Sequence, residues 1–175
     1  MPETVIWQTL VDFKGHWAYL TTQNYVRFSN WLTKSGMDLS LLSHLKSIMV
    51  GGAPVPEEYE EVYLKTLPNL KMIINAYGQT ELCVISLSST PKMLGYVLPG
   101  MIARVGDVQT GQPLGPNKHG EIQIKSPLML KCYLKQEEAT AELLTKDKFV
   151  KTGDLGFYDQ EGNLYFVERI KSLIK

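Results

Sequence analysis

Short apolar runs separated by turn-forming residues dominate the first half of the chain. The runs at residues 47–50 and 71–74 are each followed by a glycine- or asparagine-bearing segment, which is typical of buried strands. Between them, residues 57–67 begin with clustered carboxylates and carry Lys65 near their end, as suits the dipole of a helix. The pattern predicts a β-α-β unit over residues 47–75, with parallel strands joined by a right-handed connection.

The residues before this unit have a mixed periodicity and are rich in Trp, Tyr and Leu. For them we predict a strand at residues 17–21 and a helix at residues 24–34. Because ligands of open α/β sheets bind at the carboxyl ends of the strands, two segments of the β-α-β unit become candidates for a binding site. These are the glycine-bearing loops predicted at residues 51–54 and 76–81.

After Pro91 the pattern becomes that of a β-rich region, with alternating or apolar stretches between turn sequences. A short helix is predicted at residues 136–144, and a hairpin turn at residues 159–163. The predicted strands lie at residues 102–108, 121–125, 128–133, 156–158 and 164–167. The chain is therefore predicted to be an α/β protein in which a parallel β-α-β portion is followed by a small, mainly antiparallel β subdomain.

Composition narrows the classes of partner. The 175 residues are 44% hydrophobic, which is enough to bury a core, and 18 Lys and Arg residues balance 18 Asp and Glu residues. Without a basic stripe, a nucleic-acid partner is not expected. We also expect a soluble intracellular protein without a transmembrane segment, because the first residues have no positively charged region followed by an apolar run and no run of eighteen apolar residues occurs.

The two cysteines, Cys83 and Cys132, lie far apart in sequence and form no Cys-x-x-Cys pair. Only three histidines, His16, His44 and His119, could join them as metal ligands. We therefore predict neither a disulfide nor a structural metal site. The two thiols are expected to be small buried hydrophobic groups in a reducing compartment.

Four segments form a pattern that is more specific than any of them alone: Gly51-Gly52-Ala53-Pro54, Asn75-Ala76-Tyr77-Gly78-Gln79-Thr80-Glu81, Lys151-Thr152-Gly153-Asp154 and Glu168-Arg169-Ile170-Lys171-Ser172-Leu173-Ile174-Lys175. In this order they resemble the adenylate-forming superfamily, which includes acyl-CoA synthetases, 4-coumarate–CoA ligases and beetle luciferases. The resemblance covers residues 19–175. Further matching positions are Gly95, Pro99, Gly100, Asp107, Thr110, Gly111, Leu114, Gly115, Gly120, Glu121, Tyr133, Ala139 and Thr140.

The second segment would carry most of the nucleotide chemistry. The resemblance implies that Tyr77 offers a flat face to adenine and that Gly78 admits close backbone approach. It further implies that Thr80 donates its hydroxyl to a phosphate oxygen and that Glu81 binds Mg²⁺ through a carboxylate oxygen. Taken alone, Tyr-Gly-x-Thr-Glu could equally be a turn in which Tyr and Thr merely pack.

The remaining segments would complete the nucleotide and acyl sites. By resemblance, Gly51, Gly52 and Ala53 line the acyl pocket and one side of adenine, beside Asn75 and Ala76. Asp154 would accept both ribose hydroxyls, and Arg169 would reach the nucleotide. The alternatives are an ordinary strand-to-helix turn for the glycines, a solvated turn for Asp154 and a surface charge for Arg169.

The last segment resembles the hinge about which a small C-terminal lobe rotates between the two half-reactions. Glu168 stands where the family usually has an aspartate, so the acidic character is kept with one extra methylene. Lys171 and Lys175 match lysines of the hinge segment, and Lys175 would serve the second half-reaction. Both lysines could equally be solvated charges at a helix end.

The implied organisation is an α/β part of the AMP-binding domain at residues 1–90, a β-rich subdomain at residues 91–167 and a hinge at residues 168–175. The implied reaction is that of an AMP-forming acyl-CoA synthetase, which uses ATP, Mg²⁺, CoA and a fatty or aromatic carboxylic acid. A non-catalytic relic that binds a nucleotide, an acyl-adenylate or an intact relative is the main alternative. Oxidation of an adenylated luciferin is a lesser one.

Two groups that are central to the family reaction are absent from the sequence: the upstream phosphate loop and the lysine of the C-terminal lobe. Since such groups stabilise charge in the transition state, we expect weak nucleotide binding and negligible turnover from this chain alone. Self-association through uncovered strand edges is also expected. The cytoplasm or the peroxisome is the expected location, although the final residues are not a Ser-Lys-Leu signal.

Overall fold

The computed structural model describes residues 2–90 and 92–173. It divides into two compact units. The first comprises Met1–Ala76 with Ser88–Lys92, and the second comprises Tyr77–Leu87 with Met93–Lys175. The boundaries predicted from the sequence near residues 90 and 167 stay a prediction. Each unit is described by itself.

The first unit is a parallel sheet with helices. Strand β2 pairs in parallel with β1 on one side and with β3 on the other. The strands are β1 (Trp17–Thr21), β2 (Ser47–Gly51) and β3 (Met72–Gln79), and β3 continues into the second unit beyond Ala76. The helices are α1 (Glu3–Phe13), α2 (Thr22–Leu32) and α3 (Glu58–Thr66), with a 3₁₀ turn at Leu39–Leu42. Among the described residues no helix is long and apolar enough to cross a bilayer.

Aromatic residues form the centre of this unit. Tyr25, Phe28 and Tyr63 are fully buried, and the rings of Tyr25 and Tyr63 stack with centroids 4.5 Å apart. The hydroxyl of Tyr63 donates to the backbone oxygen of Tyr25 at 2.7 Å, so its polar atom is satisfied. This link joins α2 to α3 and fixes the helix that connects β2 to β3.

The sequence predictions for the first unit are largely confirmed. The β-α-β unit, its parallel strands and the strand at residues 17–21 are present, and the helix predicted at residues 24–34 lies at Thr22–Leu32. Helix α1 was not predicted, because its apolar positions do not form a long periodic stripe. It buries Ile6, Trp7 and Leu10.

The second unit is mainly antiparallel, as predicted. Strand β4 (Cys83–Ser88) pairs with β5 (Tyr96–Val97), and a separate sheet has the order β10-β9-β8-β6-β7. The strands of that sheet are β6 (Ile102–Gly106), β7 (Pro113–Leu114), β8 (Gly120–Lys125), β9 (Val150–Tyr158) and β10 (Leu164–Arg169). Helices α4 (Glu137–Leu143) and α5 (Ile170–Leu173) complete it.

The strand predicted at residues 128–133 is wrong. The segment is irregular, and Leu128 is 65% exposed. Pro127 has no backbone N–H group to donate to a neighbouring strand. The N–H of Leu128 donates instead to the hydroxyl of Ser126 at 3.0 Å. These local bonds compete with a sheet ladder, so an apolar sequence here does not produce a strand.

The loop predicted at residues 76–81 is also wrong in part, because β3 continues through Gln79. The reversal is confined to the residues just beyond it, where the N–H of Leu82 donates to the oxygen of Gln79 at 3.0 Å. Gly78 permits this geometry. A side chain there would press into the backbone oxygen of Cys83 as the chain returns. The motif is therefore largely strand rather than loop.

The prediction of buried thiols is wrong as well. Both Cys83 and Cys132 are free and exposed. Cys83 follows the reversal and has a φ of 60°, which places it in the left-handed region, while Cys132 lies in the irregular segment before α4. Their local backbone, rather than their apolar character, decides their exposure.

We expect Gly78→Ala to destabilise the protein by about 1–3 kcal/mol, since the added methyl has no space beside the Cys83 backbone. Gly115→Ala is the matched control, because a methyl there meets nothing within 4 Å. Urea unfolding of the two variants measures the difference. Equal stability of Gly78→Ala and wild type would contradict the close approach.

Candidate functional site

The first unit gathers five of the candidate residues at the carboxyl ends of β2 and β3. Gly51 lies opposite Ala76 in the parallel register, and Val50 lies opposite Asn75. A methyl on Gly51 would lie 2.6 Å from the oxygen of Ala76, and Gly52 has a φ of 91°. The hydroxyl of Thr22 donates to the oxygen of Ala53 at 2.8 Å. Gly51, Gly52, Ala53, Asn75 and Ala76 therefore share one edge of this sheet.

The second unit contains a cavity of about 790 Å³. This volume is within the range of roughly 300–1,000 Å³ that is usual for small-molecule sites. One wall is the end of β3 with the turn after it, and another comes from β9. The lining residues that matter here are Gly78, Gln79, Thr80, Glu81, Glu121, Tyr133, Lys151, Thr152, Gly153, Arg169 and Lys171. Residues from the second, third and fourth motif segments thus meet at one cavity.

Asp154 lies next to this wall and is only 5% exposed. One oxygen accepts a hydrogen bond from the hydroxyl of Tyr77 at 2.7 Å, and the other lies 3.1 Å from the guanidinium of Arg169. Burial raises the pKa of Asp154, and these two partners offset only part of that shift. Because burial also raises the pKa of Tyr77, its phenol keeps its proton and donates to the carboxylate.

The Asp154 carboxylate, which is expected to accept the ribose hydroxyls, already has two partners in the structure. Each oxygen accepts one interaction, and each keeps a further lone pair. A ribose would share these oxygens with Tyr77 and Arg169 or displace them. Asp154 is a buried polar group and not a solvated turn residue.

A network of hydrogen bonds holds the β9 wall. The hydroxyl of Thr152 donates to the oxygen of Ile122 at 2.8 Å and accepts from the N–H of Asp154 at 3.1 Å. Gly153 has a φ of 72°, and its N–H donates to a carboxylate oxygen of Glu121 at 3.1 Å. Burial raises the pKa of Glu121, and the bond from Gly153 opposes that shift.

Thr80 and Glu81 lie on the opposite wall, just after β3. Thr80 is exposed, so its hydroxyl is accessible from the cavity. One carboxylate oxygen of Glu81 accepts a hydrogen bond from the hydroxyl of Tyr133 at 2.6 Å. That bond raises the pKa of Tyr133 to about 12, so the phenol remains a donor at neutral pH.

The hinge-like segment is partly strand. Glu168 and Arg169 end β10, and Arg169 also donates to the backbone oxygen of Thr152 at 2.9 Å. Arg169 is thereby anchored to β9 by two contacts rather than being a free surface charge. Lys171 lies in α5 and lines the cavity. Lys175, predicted to be catalytic, lies outside the described residues.

The cavity residues fit a Mg²⁺ ion only if substrate phosphates and water supply most of its ligands. Within residues 2–90 and 92–173, no group of three or more His, Cys, Asp or Glu side chains could hold a metal. Glu81 offers one hard carboxylate, and Mg²⁺ commonly binds through one or two carboxylates together with substrate phosphates and water. Glu81 therefore fits a metal that is delivered by a nucleotide.

Sequence reasoning missed several lining residues. Glu121 and Tyr133 matched the family pattern without a role, and Lys151 was quoted only as part of its motif. Gln79 was given no role, yet its buried amide nitrogen has no hydrogen-bond partner in the part of the chain that the structure describes. The tyrosine–glutamate pair spans 52 positions of sequence, so no local pattern could reveal it.

Comparison with known proteins identifies the family of the chain. Residues 2–134 match the family model described as AMP-binding enzyme. The luciferin 4-monooxygenase of Photuris pensylvanica is 35% identical over 178 residues, which are 99% of this chain and 32% of that protein. The 4-coumarate–CoA ligase-like 6 of Oryza sativa subsp. japonica is 37% identical over 77% of this chain and 23% of its own length. The chain thus spans about a quarter to a third of these curated relatives.

Solved structures share the fold. ATP-bound MatB from Rhodopseudomonas palustris superimposes with a TM-score of 0.83 at 25% identity, over 98% of this chain and 34% of that one. A long-chain-fatty-acid-CoA ligase, FadD1, from Archaeoglobus fulgidus gives a TM-score of 0.84 at 24% identity, over 99% of this chain and 39% of its own. The second likeness concerns the fold alone.

The raised pKa of Glu121 predicts a pH-dependent stability. Its folded pKa lies above the ordinary value of 4.5, so its contribution to stability is present below that value and is lost as the pH rises through the folded pKa. Glu121→Gln keeps an acceptor for Gly153 without the charge. We expect the free energy of unfolding of the variant, relative to wild type, to increase from about pH 4 to about pH 7.

Urea unfolding at both pH values measures this difference. Glu161→Gln is the control, because Glu161 is exposed in the turn before β10 and is not among the residues that line this cavity. A relative stability of Glu121→Gln that stays constant with pH would contradict the buried carboxylate.

Proposed function

Because the chain belongs to the AMP-binding enzyme family, we propose that it carries the nucleotide-binding part of an AMP-forming acyl-CoA synthetase. The observation that carries the proposal is the meeting of three motif segments at one cavity. Residues 78–81, residues 151–153 and Arg169 all line it, and Asp154 is held beside them. The cavity has the size of a small-molecule site and a wall of both cationic and acidic groups.

In the proposed first half-reaction, a carboxylate oxygen of the acid attacks the α-phosphorus of ATP, and the bond to the pyrophosphate oxygen breaks. Thr80 donates its hydroxyl to a phosphate oxygen, while Arg169 supplies positive charge near the α-phosphate. Bound Mg²⁺ would neutralise phosphate charge, and Glu81 would hold it. Asp154 and Tyr77 orient the nucleoside, the first through ribose hydroxyls and the second through its ring face.

In the second half-reaction, the thiol of CoA loses its proton, its sulfur attacks the acyl carbon, and AMP leaves as the bond to its phosphate oxygen breaks. By family resemblance, Lys175 would serve this step. Both the acid and the CoA are therefore proposed on the family relationship. The acid would be fatty or aromatic.

Two other functions are supported less well. Oxidation of an adenylated luciferin rests on the relationship to luciferin 4-monooxygenases, but ligase-like relatives match at similar identity. A non-catalytic nucleotide-binding role would use the same cavity without turnover. It differs from the proposed function only in the reaction, so nucleotide binding is the first property to test.

We expect this chain to bind ATP weakly and Asp154→Asn to weaken that binding by about tenfold or more, because the ribose loses a charged acceptor. Asp107→Asn is the matched control, since the Asp107 carboxylate closes the turn between β6 and β7 by accepting from the backbone N–H groups of Gln109 and Thr110 and from the Thr110 hydroxyl. Isothermal titration calorimetry with ATP measures the affinities.

Thermal unfolding first confirms that both variants fold. Absence of saturable ATP binding by the wild-type chain would contradict the proposed function. Equal losses in Asp154→Asn and Asp107→Asn would also contradict it, since only Asp154 lies beside the cavity.

A further inference from the structure

We propose that Tyr133 is a positioning residue for Glu81. Its hydroxyl holds one carboxylate oxygen, so that the other is presented to a nucleotide-bound divalent cation. The inference rests on the proposed function, because it assumes that the cavity takes a metal–nucleotide complex. It adds a residue for which the motif pattern gives no role.

The geometry ties the two side chains closely. The phenol donates to Oε1 of Glu81 at 2.6 Å, which is typical of a strong bond to an ionised acceptor. Both residues line the same cavity. A phenol has one proton to donate, so the second oxygen of Glu81 remains available as a ligand.

A second contact fixes the backbone of Glu81. The N–H of Leu130 donates to the Glu81 carbonyl oxygen at 2.8 Å. Main chain and side chain of Glu81 are thus both held by the segment that precedes α4. A glutamate side chain loses considerable conformational entropy when it binds a metal. A side chain that is already held in place loses less, so the entropic cost of metal binding is lower.

Thr140 in turn fixes Tyr133. The hydroxyl of Thr140 accepts from the N–H of Tyr133 at 2.9 Å and donates to the oxygen of Gln136 at 2.8 Å. This bond joins the first turns of α4 to the residue that holds Glu81. Thr140 therefore holds Tyr133, Tyr133 holds Glu81, and Glu81 binds the cation.

Such an arrangement is what a single-carboxylate metal site requires. Within the described ranges Glu81 belongs to no group of three or more His, Cys, Asp or Glu side chains that could hold a metal, so the direction of its free oxygen affects how well the cation is held. Hydrogen bonds to ligating carboxylates orient them, and their loss commonly lowers metal affinity by about 10–100-fold. If Tyr133 had a purely structural role, its loss would weaken ATP binding equally with and without the metal.

The test compares ATP binding with and without Mn²⁺, a paramagnetic substitute for Mg²⁺. Calorimetry measures ATP affinity in EDTA and at saturating Mn²⁺, and electron paramagnetic resonance counts protein-bound Mn²⁺ directly. For Tyr133→Phe we expect the gain in affinity due to Mn²⁺ to fall by about tenfold. Metal-free binding should change by less than about twofold.

Tyr165→Phe is the matched control, because the Tyr165 hydroxyl donates to Asp159 at 3.0 Å in the same unit and lines no part of this cavity. It should leave the Mn²⁺-dependent gain unchanged. A second pair keeps the test decisive if Tyr133→Phe folds poorly. Thr140→Val should reduce the gain, and Thr140→Ser should restore it.

The outcomes separate this inference from the proposed function. Failure of the wild-type chain to bind ATP in either condition overturns both. ATP binding that depends on Asp154, but whose Mn²⁺-dependent gain is absent or unaffected by Tyr133→Phe, overturns only the role of Tyr133. An equal loss with and without Mn²⁺ also overturns it, since Tyr133 would then merely shape the cavity.

Discussion

A buried carboxylate governs the arrangement of the second unit. Asp154 lies away from water, and a charge in such a place must be paired and hydrogen-bonded to be tolerated. Tyr77 and Arg169 meet that requirement from β3 and β10, while Asp154 itself belongs to β9. The end of β3 therefore meets the hairpin of β9 and β10, which lies more than 70 positions later in the sequence. The cavity walls follow from that meeting, because the residues flanking these three side chains line it.

The other wall depends on a second carboxylate that is held in a similar way. Glu81 follows the reversal after β3, and that reversal requires a residue without a side chain at position 78. Tyr133 then fixes Glu81 from a segment that has no regular structure of its own. Both acidic groups thus accept a hydrogen bond from a tyrosine, one deeply buried and the other facing the cavity. This difference in exposure suits the first to orienting a neutral sugar and the second to meeting a hydrated cation.

The sequence predicted what depends on local pattern and on motif. The parallel β-α-β unit was predicted from two apolar runs on either side of a helix that begins with acidic residues. The antiparallel character of the region after Pro91 was predicted from its turn sequences. The prediction of a strand at residues 128–133 failed because Pro127 has no N–H group and the Ser126 hydroxyl accepts the N–H of Leu128. The prediction of buried thiols failed at Cys83, which begins β4 with a left-handed backbone conformation and is exposed. Contacts such as that between Tyr133 and Glu81 join residues 52 positions apart and cannot be read from local patterns.

The most direct test of a nucleotide site in this cavity is a map of backbone amide chemical shifts during a titration with AMP. We expect the largest changes on residues 78–81 and 151–154 and on Arg169, with little change in the turn at residues 107–111. Changes concentrated in that turn, or scattered over the unit without a maximum at the cavity, would contradict it.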